Sequence, residues 1–469
     1  GWWGWFDQSR YLASAEAFRH WDFSASAHFY PPGYSVLAAP FVAIWRLHAW
    51  FFVDLAGLLA AFAGFARFAR RLGVPSGAVA LLWWRCGSLD LATCMRVMPT
   101  LQHDALLPPT AALARGLTLQ RGLLPPKRHI EHPHQPGYRG EGIYYEEVIS
   151  TEGFHRGYSI AYHLRPPTRV VRLEALAPLT APQSADLPLR HVHLKSGLLP
   201  RSGDVISGRL PMFFNSDVSI LRCRPQQQQA QLYRNAQDDE LIFVHSGSGI
   251  LQTMFGIIRF RPMDYLVIPR CTTFRIEFDS VEDADLLCVE SHGTLRFPHR
   301  YLNPDGQFRL GAPFCERDLR GPQELQTIDD TGEIPVLIRD GLKLTCYWLA
   351  QHPFDVVGWD GMVYPFAFNA DDFEPITGRV HQPPPIHQTF DAPGFVVCTF
   401  APRMLDTDPR AVKVPYAHSN VESDEVLYYV RGQFGSRRGV DLGSLTLHPH
   451  GIPHGPHPGT IVASRPVTR

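Results

Sequence analysis

Three side chains near the end of the sequence have the types and the spacing that a transition-metal site requires. His418 precedes Glu425 by seven positions, and His454 lies in the histidine-rich turn at residues 448–457. Two neutral imidazoles and one carboxylate on one face of a metal ion leave other positions open, which is typical of non-haem Fe(II) sites. We predict a metal centre here with Fe(II) as the favoured ion, while manganese, nickel and zinc stay open.

The predicted carboxylate ligand belongs to a segment that occurs twice in the chain. Residues 238–249 (DDELIFVHSGSG) and residues 423–434 (SDEVLYYVRGQF) both place an acidic pair before an apolar run. In each copy a glycine follows the glutamate by seven positions, and a second β-like run ends at a proline. Two related β units of this kind are expected of a double-cupin protein, in which each small barrel can hold a metal inside.

The two copies differ at the positions where metal chemistry would take place. Tyr233 stands where the second copy has His418, and Phe274 stands where it has His454. The first copy therefore keeps only Glu240, for which we predict a structural role.

From about residue 143 onward, short β-branched and aromatic runs alternate with turn residues. The chain has 41 prolines and 38 glycines, and aromatic residues make up 12% of it. This pattern favours a mainly β fold, here a double-cupin (bicupin) pair of β-barrels. We expect a degenerate cupin domain at residues 141–330, a metal-binding cupin domain at residues 331–469, and a linker at residues 91–140.

Residues 1–90 have a different character and are expected to form a separate apolar helical segment. Residues 34–45 and 49–66 carry one charge between them, Asp54, and a basic run follows. Apolar length with flanking positive charge predicts membrane contact through residues 34–66. A buried helical hairpin and a fused fragment are the alternatives. Residues 7–34 weakly resemble the first loop of a membrane glycosyltransferase, from which no activity follows.

Charge and cysteine content limit the partners and the compartment. The 44 basic and 45 acidic residues nearly cancel, so a broad nucleic-acid-binding surface is not expected. The eight cysteines are scattered without a CxxC pair, which predicts free thiols in a reducing compartment. We therefore expect the cupin region to be cytoplasmic.

Four ordered motifs give the chain, over about residues 120–460, a resemblance to the homogentisate 1,2-dioxygenase family. They are residues 350–361 (AQHPFDVVGWDG), 364–369 (YPFAFN), 415–420 (PYAHSN) and 447–456 (LHPHGIPHGP). The resemblance implies an Fe(II)-dependent dioxygenase that opens a dihydroxylated aromatic acid with O2 as co-substrate. In the family, homogentisate becomes maleylacetoacetate during tyrosine and phenylalanine degradation, and the enzymes tend to form homo-oligomers.

The resemblance also assigns roles to residues around the metal. His418, Glu425 and His454 match the family's iron ligands. His448 matches a histidine close to the substrate, with a catalytic and substrate-binding role, and Tyr416 is expected to contact the substrate.

A further active-site histidine of the family precedes the strand at residues 394–400. His381 and His387 both fit that description, and either one would orient the ring hydroxyl or accept its proton.

Three departures from the family leave the substrate open. The interval between His418 and Glu425 is one residue longer, and the glycine-rich loop is shortened to residues 435–443. Phe434 stands where the family has a substrate-contacting tyrosine. A gentisate-type dioxygenase, an isomerase or a non-catalytic cupin binding protein are therefore the alternatives.

Overall fold

The computed structural model describes most of the chain from residue 118 onward. The described residues are 17, 118–135, 142–154, 156–185, 187–375, 384–403, 416–432 and 437–463. Apart from residue 17, the expected apolar segment at residues 1–90 lies outside this set, as does the expected membrane contact at residues 34–66. Among the described residues, no helix combines the length and the hydrophobicity needed to cross a bilayer.

The described part of the chain is mainly β, as predicted. Its first strands are β1 (Leu119–Gly122), β2 (Tyr145–Ser150), β3 (Tyr158–His163), β4 (Val170–Ala175), β5 (Val192–Leu194), β6 (Arg209–Phe214), β7 (Val218–Cys223) and β8 (Leu232–Asn235). The next are β9 (Asp239–Ser246), β10 (Gly249–Thr253), β11 (Gly256–Phe260), β12 (Asp264–Ile268), β13 (Thr273–Phe278), β14 (Asp285–Ser291), β15 (Leu319–Arg320) and β16 (Thr331–Asp340). The last are β17 (Lys343–Gln351), β18 (Val356–Gly361), β19 (Phe366–Asn369), β20 (Gln388–Ala392), β21 (Phe395–Cys398), β22 (Glu425–Tyr428) and β23 (Leu445–His448).

Helical structure within the described residues is short. A single α-turn, α1, spans Thr460–Ala463. The 3-10 turns are Ser196–Leu198, Val281–Asp283, His299–Tyr301, Glu316–Asp318, Ala370–Asp372 and Pro384–His387.

Two seven-stranded sheets form most of the described fold. One has the order β11-β10-β13-β8-β16-β17-β4 and the other has the order β15-β19-β12-β9-β14-β7-β6. Strand β9 shows how the sequence builds them, because its alternate side chains enter different cores. Ile242 and Val244 pack in one apolar cluster, and Leu241 and Phe243 pack in the other. Burial on both faces explains why the middle of this strand, residues 241–244, is an uninterrupted apolar run.

The boundary expected at residue 330 runs through these sheets. Strand β16 pairs with β8 in parallel, and β19 pairs with β12. The two expected cupin domains therefore share sheets here, and the described residues on both sides of that boundary lie in one compact unit.

The described part of the expected linker at residues 91–140 contains strand β1, which pairs with β18 over four residues. The short, half-polar segment Leu119–Gly122 gives no strong strand signal by itself, because its partner lies more than 200 residues away and supplies the hydrogen bonds.

A small three-stranded sheet, β22-β23-β5, carries the predicted metal ligands. Strands β22 and β23 come from the second copy of the repeat, whereas β5 comes from the N-terminal half of the chain.

Candidate metal centre

The two copies of the repeat share the same strand register. In the first copy Glu240 lies opposite Ile268, the residue before Pro269. In the second copy Glu425 lies opposite His448, the residue before Pro449. The agreement extends to the predicted ligands, because Tyr233 pairs with Phe274 and His418 pairs with His454. The position-by-position correspondence inferred from the sequence is therefore also a correspondence in pairing.

The conserved spacing to glycine has a conformational reason. Gly247 has φ +90° and Gly432 has φ +98°, values that side chains with a Cβ rarely adopt. Each glycine follows the strand that contains the glutamate, and both glycines have the same sign of φ there, so the two copies turn in a similar way.

The second copy brings the three predicted ligands together. One ligand atom from each of His418, Glu425 and His454 lies within 4.8 Å of the others. The His418 and His454 backbones exchange two hydrogen bonds of 2.8 Å, and their ring centroids are 4.2 Å apart. The ligand triad is therefore held by the backbone as well as by side-chain packing.

In both predicted ligand histidines a backbone carbonyl lies beside Nδ1, which leaves Nε2 available to a metal. His418 Nδ1 lies 3.3 Å from the Tyr416 oxygen, and His454 Nδ1 lies 3.1 Å from the Ile452 oxygen. An Nδ1–H that donates to a carbonyl leaves Nε2 as a lone-pair donor, which is the usual state of a metal-bound histidine.

The donor set fits a bound cation. His454 Nε2 is buried without a hydrogen-bond partner, yet it lies 3.2 Å from Glu425 Oε2. In the tautomer set by Ile452, a lone pair would face a carboxylate oxygen with no proton between them. A cation shared by both groups removes that repulsion, and a site with two imidazoles and one carboxylate suits a transition metal.

His448 orients the carboxylate of the triad. Its Nδ1 donates to Glu425 Oε2 at 2.7 Å, and its ring stacks on His454 with centroids 4.6 Å apart. Burial raises the pKa of Glu425, but the hydrogen bond from His448 and the charges of the three histidines outweigh it, so the pKa is lowered overall. The carboxylate is thus kept in the ionised form that binds a metal.

In the first copy a guanidinium lies beside the equivalent carboxylate. Arg209 Nη2 is 2.9 Å from Glu240, and its Nη1 is 3.0 Å from Glu290. Glu240 and Glu290 are opposite each other on neighbouring strands and would repel without this charge. The structural role predicted for Glu240 is consistent with this ion pair.

Of the remaining predicted site residues, two are described by the structure and two are not. Tyr416 is half-exposed with its ring centroid 5.9 Å from that of His418. His387 is fully buried beside Phe400, and neither of its ring nitrogens has a hydrogen-bond partner. His381 and Phe434 lie outside the described residues.

One residue near the metal centre was not predicted. The His191 ring lies 5.6 Å from that of His448 and 6.0 Å from that of His454. Its short His191-Val192-His193 pattern suits a strand, but nothing in the sequence indicates that this strand pairs with β23.

The chain is similar in sequence to known dioxygenases. The family model described as "Homogentisate 1,2-dioxygenase N-terminal" matches residues 215–370. A Saccharolobus solfataricus protein named as a putative dioxygenase is 40% identical over 347 residues, which cover 74% of this chain and 88% of that protein. The chain belongs to the homogentisate 1,2-dioxygenase family.

Other relatives in the homogentisate 1,2-dioxygenase family are more distant. The enzyme named homogentisate 1,2-dioxygenase from Pseudomonas entomophila is 28% identical, over 63% of this chain and 70% of that enzyme. The enzyme of that name from Nitrobacter hamburgensis is 29% identical, and the match spans 48% of this chain and about half (51%) of that enzyme. Membership makes this protein a metal-dependent oxygenase of the ring-cleaving dioxygenase class.

The solved structures that resemble the chain contribute nothing to this assignment. A Bacteroides fragilis cupin protein covers 25% of this chain and 86% of its own, at 17% identity and a TM-score of 0.14. The Escherichia coli protein Ylba covers 40% of this chain and 93% of its own, at 11% identity and a TM-score of 0.20.

Proposed function

We propose that this protein is an Fe(II)-dependent, double-cupin dioxygenase that opens the ring of homogentisate or a close analogue. The observation that carries the proposal is the convergence of His418, Glu425 and His454, with a buried, unpartnered nitrogen facing a carboxylate. The first copy of the repeat, with Tyr233 and Phe274 at the equivalent positions, lacks such a donor set.

Fe(II) is the ion that suits both the ligands and the class of reaction. When bound, it supplies a template for the aromatic ring and O2 and a path for electrons between them. The single carboxylate neutralises only part of the charge of Fe(II). The loaded site would therefore stay positive and tolerate an anionic ring oxygen.

The chain's own residues would orient the substrate and move its proton. His448 helps to hold Glu425 in the ionised state by a hydrogen bond and would border the substrate. Burial, followed by the charge of Arg403, lowers the pKa of His387 to about 4, so its imidazole is neutral at pH 7. A neutral, unpartnered imidazole can accept the proton of a ring hydroxyl, the role for which His381 is the alternative. Tyr416 and Phe434 would contact the aromatic ring.

The decisive experiment combines metal analysis with O2 uptake. We expect the apoenzyme to regain O2 uptake with Fe(II) and homogentisate, and His418→Ala to lose both stoichiometric iron and at least about a thousandfold of the rate, since the metal is the centre of the chemistry. His450→Ala is the matched control. His450 lies in the same histidine-rich turn as His454, but it is exposed and bound to Asp424. Its loss should therefore leave iron content and turnover unchanged.

Different outcomes separate the alternatives. Turnover by His418→Ala at the wild-type rate would refute the assignment. Uptake with gentisate but not with homogentisate would keep the class and change the substrate, which the replacement of a tyrosine by Phe434 makes worth testing. Conversion of an aromatic acid without O2 consumption would indicate an isomerase.

A further inference from the structure

We infer that His191, from the N-terminal half of the chain, contacts the bound aromatic acid and completes the site. This inference rests on the proposed function and adds a substrate-positioning group that the sequence did not suggest. The argument comes from strand pairing, distance, exposure and hydrogen bonding.

Strand pairing places His191 on the face that carries the metal ligands. Strand β23 pairs with β22 through Glu425 and His448, and with β5 through Leu447 and Val192. Continuing the second register by one residue sets His191 opposite His448. Glu425, His448 and His191 therefore form a row across three strands, and residues in such a row point to the same face of a sheet.

Ring contacts confirm this placement without making His191 a ligand. Its ring centroid is 5.6 Å from that of His448 and 6.0 Å from that of His454. The group of side chains whose ligand atoms lie within 4.8 Å of one another contains His418, Glu425 and His454 but not His191. His191 thus borders the three predicted ligands without being one of them.

The neighbouring histidines make side-chain hydrogen bonds, whereas the His191 ring makes none with any described residue. His448 is bound to Glu425, and two residues along β5 His193 Nε2 is 3.1 Å from Ser444 Oγ. Within the described part of the chain, His191 is exposed and makes ring contacts but no hydrogen bond. A ring N–H of His191 is available to an anionic oxygen of the substrate, either the carboxylate or a ring oxygen.

The test measures binding apart from turnover. Homogentisate and gentisate would be titrated anaerobically into Fe(II)-loaded wild type, His191→Ala and His191→Gln. We expect His191→Ala to raise the dissociation constant and KM about tenfold or more, since the lost hydrogen bond involves a charged group. Iron content should stay at the wild-type level, and His191→Gln, which keeps an N–H donor, should recover part of the affinity.

His193→Ala provides the matched control, because it removes the histidine two residues further along the chain, which is bound to Ser444. Its substrate affinity should equal that of wild type. Unchanged affinity in His191→Ala, or loss of iron from it, would overturn the inference. If wild type itself binds neither acid, the proposed function fails, which is a distinct result.

Discussion

At the residue scale, two substituted pairs decide which copy of the repeat can hold a metal. His418 and His454 meet in one copy, and Tyr233 and Phe274 meet in the other. The metal-free copy still contains a buried carboxylate, Glu240, and this charge needs a partner. Arg209 is this partner, so a second buried side-chain charge, and not a bound ion, balances Glu240.

This ion pair is expected to contribute to the stability of the folded state. Arg209→Leu would leave Glu240 and Glu290 buried opposite each other, with only Arg339 beside Glu290. We expect the free energy of unfolding to fall by about 3 to 5 kcal/mol in denaturant titrations. Arg172→Leu, which removes an exposed arginine bound to Glu174 and Glu333, should lower it far less, because solvent screens an exposed ion pair. Equal effects of the two substitutions would contradict the interpretation.

At the element scale, a buried histidine fastens strand β3 to its neighbours. His163 Nε2 is 3.0 Å from Glu147 on β2, and His163 Nδ1 is 2.6 Å from Asp355, which precedes β18. Burial lowers the pKa of His163, but the hydrogen bonds to Asp355 and Glu147 outweigh it and raise the pKa to about 9. The imidazolium joins β3 to β2 and to the segment that leads into β18.

The raised pKa predicts a loss of stability in alkaline solution. A histidine pKa above its unfolded value of about 6.5 means that the stabilisation is fully present below that pH and is lost as pH rises through about 9. The contribution is on the order of 3 kcal/mol. Denaturant titrations from pH 6 to pH 10 should show this decline in wild type and a flatter profile in His163→Gln.

His352→Gln is the control for this pH series. Burial lowers the pKa of His352 to about 4, so its charge does not change above pH 6.5. Its profile should keep the wild-type slope between pH 7 and pH 10. A wild-type slope in His163→Gln would show that another group titrates.

Element types and the repeat could be predicted from the sequence, whereas several partnerships could not. The β-rich runs and the glycines at 247 and 432 are local signals, since residue type and turn geometry determine them. The pairing of β5 with β23 joins residues about 250 positions apart and leaves no local signal. Arg209 escaped notice for the same reason, because its two carboxylate partners lie on strands distant in sequence.

At the scale of the whole molecule, the metal should act as a structural clamp. The three-stranded sheet unites β22 and β23 with β5 from the other half of the chain, and the triad spans the turn after β23. A ligand that binds only the folded state stabilises it by mass action. The small sheet therefore gains stability when the triad is filled.

Metal removal provides the corresponding prediction. At an Fe(II) concentration a hundredfold above its Kd, binding contributes about 2.7 kcal/mol, so chelation should lower the Tm of the loaded protein by several degrees. His418→Ala should have a Tm that does not respond to Fe(II) or to chelator. Identical chelator responses in both proteins would place the stabilising ion elsewhere.

The sequence by itself determined the mainly β fold, the two related units and the three residues that we propose as metal ligands. These follow from residue types at short, regular intervals, which a linear pattern preserves. Only the tertiary structure decided that the units share sheets, that Arg209 lies beside the first carboxylate and that His191 borders the centre. Those arrangements depend on long-range strand pairing, whose energy comes from backbone hydrogen bonds and packing between segments that carry no mark of each other in the sequence.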